Sequence, residues 1–363
     1  MTNLDHVSTP ALLLDLDILD ANLQGMQAKA DRLGVALRPH LKTHKCIEVA
    51  ERQRTLGARG VTVSTLYEAR VFAEHGFDDI TWAFPMIPSR VEEAARLASH
   101  ITLRLVIDSQ DALQLIESTG VPLHVWLKVD CGYHRAGIDP AEGESLTLAR
   151  RLSDSSTLHF DGLLTHSGQA YSPNSPAELV QIAEHERAIM VGLAERLRAA
   201  GIHVPGVSVG STPAMSAVTD LSGVTEARPG NYAFYDLDQV SLGSCAITDC
   251  AATVLTSVVS SNITGGSVVD AGALALSKDL GHSTSDTPSY GRVFADYERS
   301  ELGQAQVVSL SQEHGVVDDS LGIGSRLRIL HNHSCLTVAQ FDEFVVVRGE
   351  GVVDRWKIWR GRG

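Results

Sequence analysis

The sequence has few cysteines, few aromatic residues and no long apolar run. Its 363 residues include five cysteines, an odd number, and none belongs to a CxxC pair. This pattern disfavours a disulfide scaffold and a structural zinc ribbon. No apolar stretch approaches the roughly 20 residues of a membrane span, and the polar first residues, MTNLDHVSTP, do not form a signal peptide. We therefore expect a cytoplasmic protein with no membrane contact.

Positive charge is also scarce. The chain has 30 Lys and Arg against 44 Asp and Glu, a net charge of −14, which argues against a general affinity for nucleic acid. The segment RPHLKTHKC, residues 38–46, is a local exception because five of its nine side chains are basic or imidazole. Such a cluster either binds an anionic partner or supplies a reactive lysine.

Short β-branched apolar runs alternate with longer Ala-, Leu-, Glu- and Arg-rich segments between about residues 34 and 240. This alternation is typical of repeated β-α units around a parallel sheet. Eight such units predict a TIM (β/α)8 barrel, although a doubly wound sheet has the same periodicity. The candidate strands are VALRPHLKT, GVTVST, ITWAFP, ITLRLVID, LHVWLKVD, HFDGLLTH, VPGVSVGS and EARPGNYAFYD.

Beyond about residue 245 strands follow one another without long helices, in runs such as ATVLTSVVS and EFVVVRGEGVV. This texture predicts a C-terminal antiparallel β domain. The early segment TPALLLDLD has no place in the barrel and is predicted to pair with that domain. We therefore expect a barrel over residues 25–245 and a β domain formed by residues 1–24 plus 246–363.

Polar residues recur where the barrel strands end, and such ends carry the functional groups of these barrels. Lys42 ends the first candidate strand, Arg135 follows the fifth and His166 closes the sixth. The loops after strands seven and eight, Gly210–Thr212 and Gly230–Tyr232, are either ordinary turns or phosphate-binding loops. A phosphate facing a lysine suggests pyridoxal phosphate, whose aldehyde forms a Schiff base with lysine.

The motif HNHSC near the C-terminus contains potential metal ligands. If it is a strand, His331, His333 and Cys335 share one face. Imidazole nitrogen and thiolate sulfur are good zinc ligands. The alternative is a polar strand end with a buried cysteine.

The ordered motifs of this chain resemble those of the fold-type III pyridoxal phosphate enzymes, in the D-threonine aldolase and D-serine dehydratase branch related to alanine racemase. The resemblance covers nearly the whole length and implies a barrel followed by a β domain, assembled as a homodimer. The motifs that carry it are STPALLLDLD, RPHLKTHK, DCGYHRAG, LLTHSGQAY, VGSTP, RPGNYAFYD, VDAGALALSKD, EHG and HNHSC.

The resemblance also implies roles for individual residues. Lys42 is similar to the lysine that forms the Schiff base and removes the Cα proton. Arg135 matches the arginine at the cofactor's phenolic oxygen, His166 the histidine near its ring, and Tyr171 the active-site tyrosine of this branch. The residues that match the phosphate-binding segments are Ser211, Thr212, Gly230, Asn231 and Tyr232.

The resemblance implies a metal site as well. His333 and Cys335 match the metal-binding H-x-C pair of the eukaryotic D-serine dehydratases, whereas the aldolases of this branch more often have H-x-D. The pair implies Zn²⁺ or another divalent cation such as Mn²⁺ or Mg²⁺.

Two reactions use these parts. Loss of the β-hydroxyl from a D-amino acid gives a 2-oxo acid and ammonia, whereas cleavage of Cα–Cβ gives glycine and an aldehyde. The thiolate of Cys335 suits Zn²⁺ and favours the dehydratase, with D-serine, D-threonine or 3-hydroxy-D-aspartate as substrate. A racemase, with Tyr290 or Tyr297 as a second base, and a non-catalytic cofactor carrier are the remaining candidate functions.

Overall fold

The computed structural model describes residues 2–281, 288–295 and 301–362. Tyr297, considered above as a second base, lies outside the described residues. The chain divides into two units. The barrel unit consists of Met26–Lys42, Ala50–Gly230 and Gly361–Gly363, and the β unit consists of Met1–Gly25, Thr43–Val49 and Asn231–Arg360. The domain limits expected at residues 25 and 245 stay a prediction.

The chain begins with two strands of the β unit and a long helix. These are β1 (Thr2–Asn3), β2 (Ala11–Asp15) and α1 (Leu16–Arg32). The side chains of Leu12, Leu13 and Leu14 are almost fully buried, which explains why β2 is a continuous apolar run rather than an alternating one.

The barrel unit contains eight strands in one parallel sheet, as predicted. A parallel bridge between His40 and Thr62 joins the two ends of that sheet. The strands are β3 (Ala36–Leu37), β4 (Val61–Val63), β5 (Asp79–Pro85), β6 (Thr102–Ile107), β7 (Leu123–Lys128), β8 (Leu158–Leu164), β9 (Gly206–Val209) and β10 (Glu226–Ala227). Their order around the sheet is β3-β10-β9-β8-β7-β6-β5-β4. The fold is therefore the predicted (β/α)8 barrel.

Helices alternate with these strands. They are α2 (Ile47–Leu56), α3 (Leu66–Glu74), α4 (Val91–Ala98), α5 (Gln110–Glu117), α6 (Gly143–Asp154), α7 (Pro176–Ala199) and α8 (Thr212–Ala217). Several begin at a residue whose hydroxyl accepts a hydrogen bond from the backbone N–H three positions later. Thr65, Ser109 and Ser175 cap α3, α5 and α7 in this way, and each cap stabilises a helix by about 1 kcal/mol.

The rest of the β unit is mainly antiparallel. Its strands are β11 (Ala252–Ser260), β12 (Ser267–Val269), β13 (Gly291–Phe294), β14 (Leu302–Leu310), β15 (Gly315–Val317), β16 (Arg326–His331), β17 (Glu343–Arg348) and β18 (Gly351–Lys357). Its short helices are α9 (Leu237–Ser241), α10 (Ala273–Leu276) and α11 (Ser334–Val338). The sheet order is β1-β18-β17-β2-β11-β12-β15-β14-β13-β16, and an additional pairing of β11 with β16 closes the last six strands into a barrel.

Strand β2 pairs antiparallel with β11 and parallel with β17. The prediction that TPALLLDLD joins the C-terminal domain is therefore confirmed. None of the helices in the described ranges is both long and apolar enough to cross a membrane.

Candidate cofactor and metal sites

Lys42 lies on the short 3-10 turn Leu41–Thr43 that follows β3 in the barrel unit. Its side chain is partly exposed, and its backbone N–H donates to Nδ1 of His40 at 3.4 Å. The turn thus places a primary amine at the carboxyl end of the first barrel strand, as predicted.

His166 follows β8, and its Nδ1 lies 3.5 Å from the carbonyl oxygen of Gly210. Burial lowers the pKa of His166 well below its usual range, and so do the surrounding cations. The imidazole is therefore neutral at physiological pH. The cations are Lys42, Arg135, Lys128 and Arg228.

Aromatic contacts connect three of the predicted residues. The Tyr133 ring packs edge-on against His166, with 6.2 Å between ring centroids, and the Cζ atom of Arg135 lies 4.9 Å from the Tyr133 centroid. The ring of Tyr171 also lies beside His166, with 6.2 Å between the centroids. A Cβ on Gly168 would lie 2.2 Å from the Tyr133 ring, so a larger residue there would displace that ring. The sequence interpretation gave Tyr133 no role, although DCGYHRAG contains it.

Lys128, at the end of β7, is a second residue that the sequence interpretation missed. Its side chain is buried. Burial, together with the positive charges of Arg228 and Arg135, lowers its pKa to about 8. In the sequence it belongs to the candidate strand LHVWLKVD, and its neighbours there do not indicate that arginines surround it in the fold.

Glu186 of α7 connects the loops that follow β8 and β9. Its buried Oε1 accepts hydrogen bonds from the backbone N–H of Ser167 at 3.1 Å and of Gly210 at 3.3 Å. Gly210 has φ of +118°, and a Cβ on it would lie 2.9 Å from the backbone nitrogen of Arg228. This loop therefore requires glycine.

The remaining predicted residues of the barrel unit are Ser211, Thr212 and Gly230, and all three are buried. Oγ of Ser211 accepts a hydrogen bond from the backbone N–H of Ala214 and caps α8. The hydroxyl proton of Ser211 is not used by that bond.

The motif HNHSC is not a strand, so the argument that His331, His333 and Cys335 share a strand face is wrong. Strand β16 ends at His331, His333 is the N-cap of α11, and Cys335 lies within that helix. His331 is fully buried, and its Nε2 pairs with Oγ of Ser334 at 2.9 Å. Because that Oγ donates to the carbonyl of Tyr235, Nε2 of His331 is the donor.

His333 and Cys335 nevertheless lie together in the β unit. Nδ1 of His333 pairs with Oδ2 of Asp279 at 2.9 Å, and the His333 ring also hydrogen-bonds Cys335. Burial lowers the pKa of His333, but the bonds to Asp279 and Cys335 outweigh it and raise that pKa to about 11. Thr43, the residue after Lys42, places its Oγ1 3.2 Å from Sγ of Cys335.

Carboxylates add to this donor set. One ligand atom each from Asp238, Asp279 and His333 lies within 4.8 Å of the others. The negative neighbours that raise the pKa of His333 also favour a divalent cation there. Nitrogen, sulfur and oxygen donors in one cluster fit Zn²⁺.

Asn231 and Tyr232 belong to the β unit, and both are buried. Nδ2 of Asn231 donates to Oδ2 of Asp236 at 2.6 Å. The roles expected of the two residues at the cofactor phosphate stay a prediction.

The barrel residues fit pyridoxal phosphate. Its aldehyde requires an amine, which Lys42 supplies, and its phosphate and phenolate require cations. The positive charges around His166 meet that second requirement, because four cationic side chains act on one neutral imidazole.

Two family descriptions match the chain. "Alanine racemase, N-terminal domain" matches residues 14–238, and "Putative serine dehydratase domain" matches residues 251–347.

Three relatives match almost the full length. D-threo-3-hydroxyaspartate dehydratase of Delftia sp. (strain HT23) is 38% identical over 373 residues, covering 98% of each chain. D-serine dehydratase of Dictyostelium discoideum is 34% identical, covering 97% of this chain and 96% of that one. D-threonine aldolase of Arthrobacter sp is 32% identical, covering 98% and 93%.

The solved structure of the Delftia dehydratase superposes with a TM-score of 0.93, covering 99% of this chain and 100% of that chain. Other structures of that enzyme are a histidine-to-alanine variant and a metal-free cysteine-to-alanine variant, with the two positions two residues apart. The chain belongs to the pyridoxal phosphate-dependent family of fold type III that joins an alanine racemase N-terminal domain to a serine dehydratase domain and includes D-amino-acid dehydratases and aldolases.

Proposed function

We propose that this protein is a pyridoxal phosphate- and Zn²⁺-dependent dehydratase of a β-hydroxy D-amino acid. The substrate class is D-serine, D-threonine and 3-hydroxy-D-aspartate, and the products are a 2-oxo acid and ammonia. The observation that carries the proposal is the cluster of His333, Cys335 and Asp279. Its histidine and cysteine have the two-residue spacing of the positions replaced in the Delftia dehydratase variants.

In this proposal the residues that the resemblance assigns to the cofactor bind it. Lys42 would join it covalently, Arg135 would meet its phenolic oxygen, and His166 and Tyr171 would lie near its ring. Bound pyridoxal phosphate supplies an electron-withdrawing ring that stabilises negative charge at the substrate Cα. The hydroxyls and backbone of the remaining predicted residues would hold the phosphate, and these are Ser211, Thr212, Gly230, Asn231 and Tyr232.

The chain's own groups then move protons. Nζ of Lys42 takes the Cα proton as a general base. His166 cannot supply a proton because its pKa is well below the usual range, so it acts as a neutral ring. The Cα–H and Cβ–O bonds break with loss of water, and the enamine that leaves the enzyme is hydrolysed by one water to the 2-oxo acid and ammonia.

His333 and Cys335 would hold the metal, and Asp279 fixes the orientation of the His333 ring. Bound Zn²⁺ supplies a Lewis acid for the β-hydroxyl, which makes hydroxide a competent leaving group. A thiolate ligand suits Zn²⁺ better than Mn²⁺ or Mg²⁺, and it is the reason that we place the dehydratase before the aldolase.

The second candidate function is retro-aldol cleavage to glycine and an aldehyde, favoured by the D-threonine aldolase that is 32% identical to this chain. Product analysis on a panel of D- and L-β-hydroxy amino acids separates the two reactions. We expect 2-oxo acid and ammonia in equal amounts from the D-amino acids alone. Glycine as the main product would overturn the dehydratase in favour of the aldolase.

The role of Lys42 is tested by replacing each lysine of RPHLKTHKC. We expect Lys42→Ala to lose the visible absorbance of lysine-bound cofactor after desalting, because no Schiff base can form. Lys45→Ala is the matched control and should keep that absorbance. A Lys42→Ala protein that keeps the band while Lys45→Ala loses it would move the linkage to Lys45.

We also propose that the protein is a homodimer located in the cytoplasm. The resemblance implies the dimer, and three exposed leucines of the β unit support it, namely Leu274, Leu280 and Leu336. The location is based on the five cysteines, an odd number with no CxxC pair, which is typical of a compartment that keeps thiols reduced.

A further inference from the structure

Asp236 is a fully buried carboxylate of the β unit with three backbone or amide donors. Its Oδ2 accepts from Nδ2 of Asn231 at 2.6 Å and from the backbone N–H of Ser334 at 2.8 Å. Its Oδ1 accepts from the backbone N–H of Gln239 at 3.0 Å and so caps α9. A buried carboxylate is costly unless such donors satisfy it, so these bonds fix the position of Asp236.

The two partners of Oδ2 belong to different predicted functions. Asn231 belongs to the segment expected to hold the cofactor phosphate. Ser334 separates His333 from Cys335, the two expected metal ligands. One carboxylate oxygen therefore joins the cofactor segment to the metal-binding turn, 98 residues further along the chain.

A second bond reinforces the same junction. Oγ of Ser334 donates to the carbonyl oxygen of Tyr235 at 2.6 Å, next to Asp236. It also receives the Nε2 proton of the buried His331. The turn between β16 and α11 is therefore held on residues 235 and 236 by both the backbone and the side chain of Ser334.

We propose that Asp236 is a positioning residue that couples binding of the metal to binding of the cofactor. This inference rests on the proposed function, since it requires that the protein binds both. A bound phosphate restrains Asn231, Asn231 restrains Asp236, and Asp236 restrains the turn that carries His333 and Cys335. By linkage the metal in turn favours cofactor binding by the same factor.

The test measures Zn²⁺ affinity by calorimetry in the full-length protein, with pyridoxal phosphate bound and after its removal. The ratio of the two dissociation constants is the coupling. For the wild type we expect tighter Zn²⁺ binding with the cofactor, by a factor on the order of 5 or more. In Asp236→Ala the ratio should fall to about one, because no side-chain oxygen remains to accept hydrogen bonds from Asn231 and Ser334.

A matched pair of variants at Ser334 isolates its hydrogen bond to Asp236 and covers the case that Asp236→Ala does not fold. Ser334→Ala and Ser334→Pro both remove the hydroxyl, but only proline removes the N–H that donates to Asp236. Proline is well tolerated here, because Ser334 is the first residue of α11 and His333 before it is extended, with φ of −135° and ψ of 103°. We expect Ser334→Ala to keep more of the coupling than Ser334→Pro.

Ser109→Ala, which removes the cap of α5 in the barrel unit, is the control for a general loss of stability and should keep the wild-type ratio. Equal coupling in wild type, Asp236→Ala and Ser334→Pro would overturn the inference, as would a wild-type ratio of one. A wild type that binds neither pyridoxal phosphate nor Zn²⁺ would instead overturn the proposed function.

Discussion

Lys128 is a lysine whose surroundings oppose its charge. It is buried at the end of β7 with Arg228 and Arg135 nearby, and its pKa falls to about 8. An anionic cofactor in the barrel would offset these positive charges. Without the cofactor the charged lysine destabilises the folded state.

The lowered pKa of Lys128 makes the free energy of unfolding depend on pH, and Lys128→Met should remove that dependence. The lysine pKa is about 10.4 in the unfolded chain, so the unfolded state binds more protons between pH 8 and that value. The free energy of unfolding of the cofactor-free wild type therefore rises over this window as the Lys128 cost disappears. Below pH 8 we expect Lys128→Met to be more stable than the wild type, by up to about 3 kcal/mol.

Urea denaturation of both proteins from pH 7 to 10.5 checks this, and the exposed Lys278→Met is the control. The difference between wild type and Lys128→Met should shrink as the pH rises. Parallel stability curves would show that Lys128 keeps an ordinary pKa in the folded protein.

At the scale of secondary-structure elements, α7 fixes two loops of the barrel unit through one carboxylate. The backbone N–H groups of Ser167 and Gly210 both donate hydrogen bonds to the same oxygen of Glu186, Oε1. A glutamine at this position keeps one such oxygen, whereas a leucine leaves two buried N–H groups without an acceptor.

We therefore expect Glu186→Leu to lower the free energy of unfolding by about 2 kcal/mol or more and to weaken pyridoxal phosphate binding, because His166 and Ser211 are adjacent to the released amides. Glu186→Gln should keep most of both properties. Urea denaturation and cofactor titration measure the two effects. If leucine is tolerated as well as glutamine, the loops do not depend on this bond.

The turn between β16 and α11 depends in a similar way on Asp279. A ligating histidine is oriented by the acceptor of its other ring N–H, and loss of that acceptor costs about 10–100-fold in metal affinity. We expect this loss for Zn²⁺ in Asp279→Ala, measured by calorimetry. The adjacent exposed Lys278→Ala should bind Zn²⁺ as the wild type does, and an unchanged affinity in Asp279→Ala would exclude the orienting role.

At the scale of the whole molecule, the proposed homodimer predicts a specific response to surface charge. Leu336 on α11 and Leu274 on α10 are 43% and 50% exposed, although the two short helices pack together through Oγ1 of Thr337 and the carbonyl of Leu276. Burial of these leucines by a second copy would stabilise the dimer by the hydrophobic effect.

Light scattering after size-exclusion chromatography should give twice the chain mass for the wild type. We expect Leu336→Asp to shift the protein toward the monomer, because the dimer would bury an unpaired charge. Ile323→Asp is the control, since Ile323 is 70% exposed and precedes the opposite end of β16. A monomeric wild type would overturn the proposed dimer. Equal dissociation of both variants would show that Leu336 has no specific place in the dimer interface.

The barrel was predictable because its signals are local. Several strands are short apolar runs buried on both faces, as Val61–Val63 and Gly206–Val209 are, and amphipathic helices follow them. The positions of Lys42 and His166 followed from this pattern, because residues at the ends of parallel strands share one edge of the barrel. The motif HNHSC has no such period, and its strand prediction was wrong.

The sequence by itself therefore determined the eight strands of the barrel, the assignment of TPALLLDLD to the C-terminal sheet, and the family. Only the tertiary structure decided which groups surround the reactive residues. Asp279 meets His333 across 54 residues, and Asp236 meets Ser334 across 98. Hydrogen bonds and burial of this kind join distant parts of the chain, so no local pattern of residues predicts them, whereas periodicity and turn chemistry are properties of neighbouring residues.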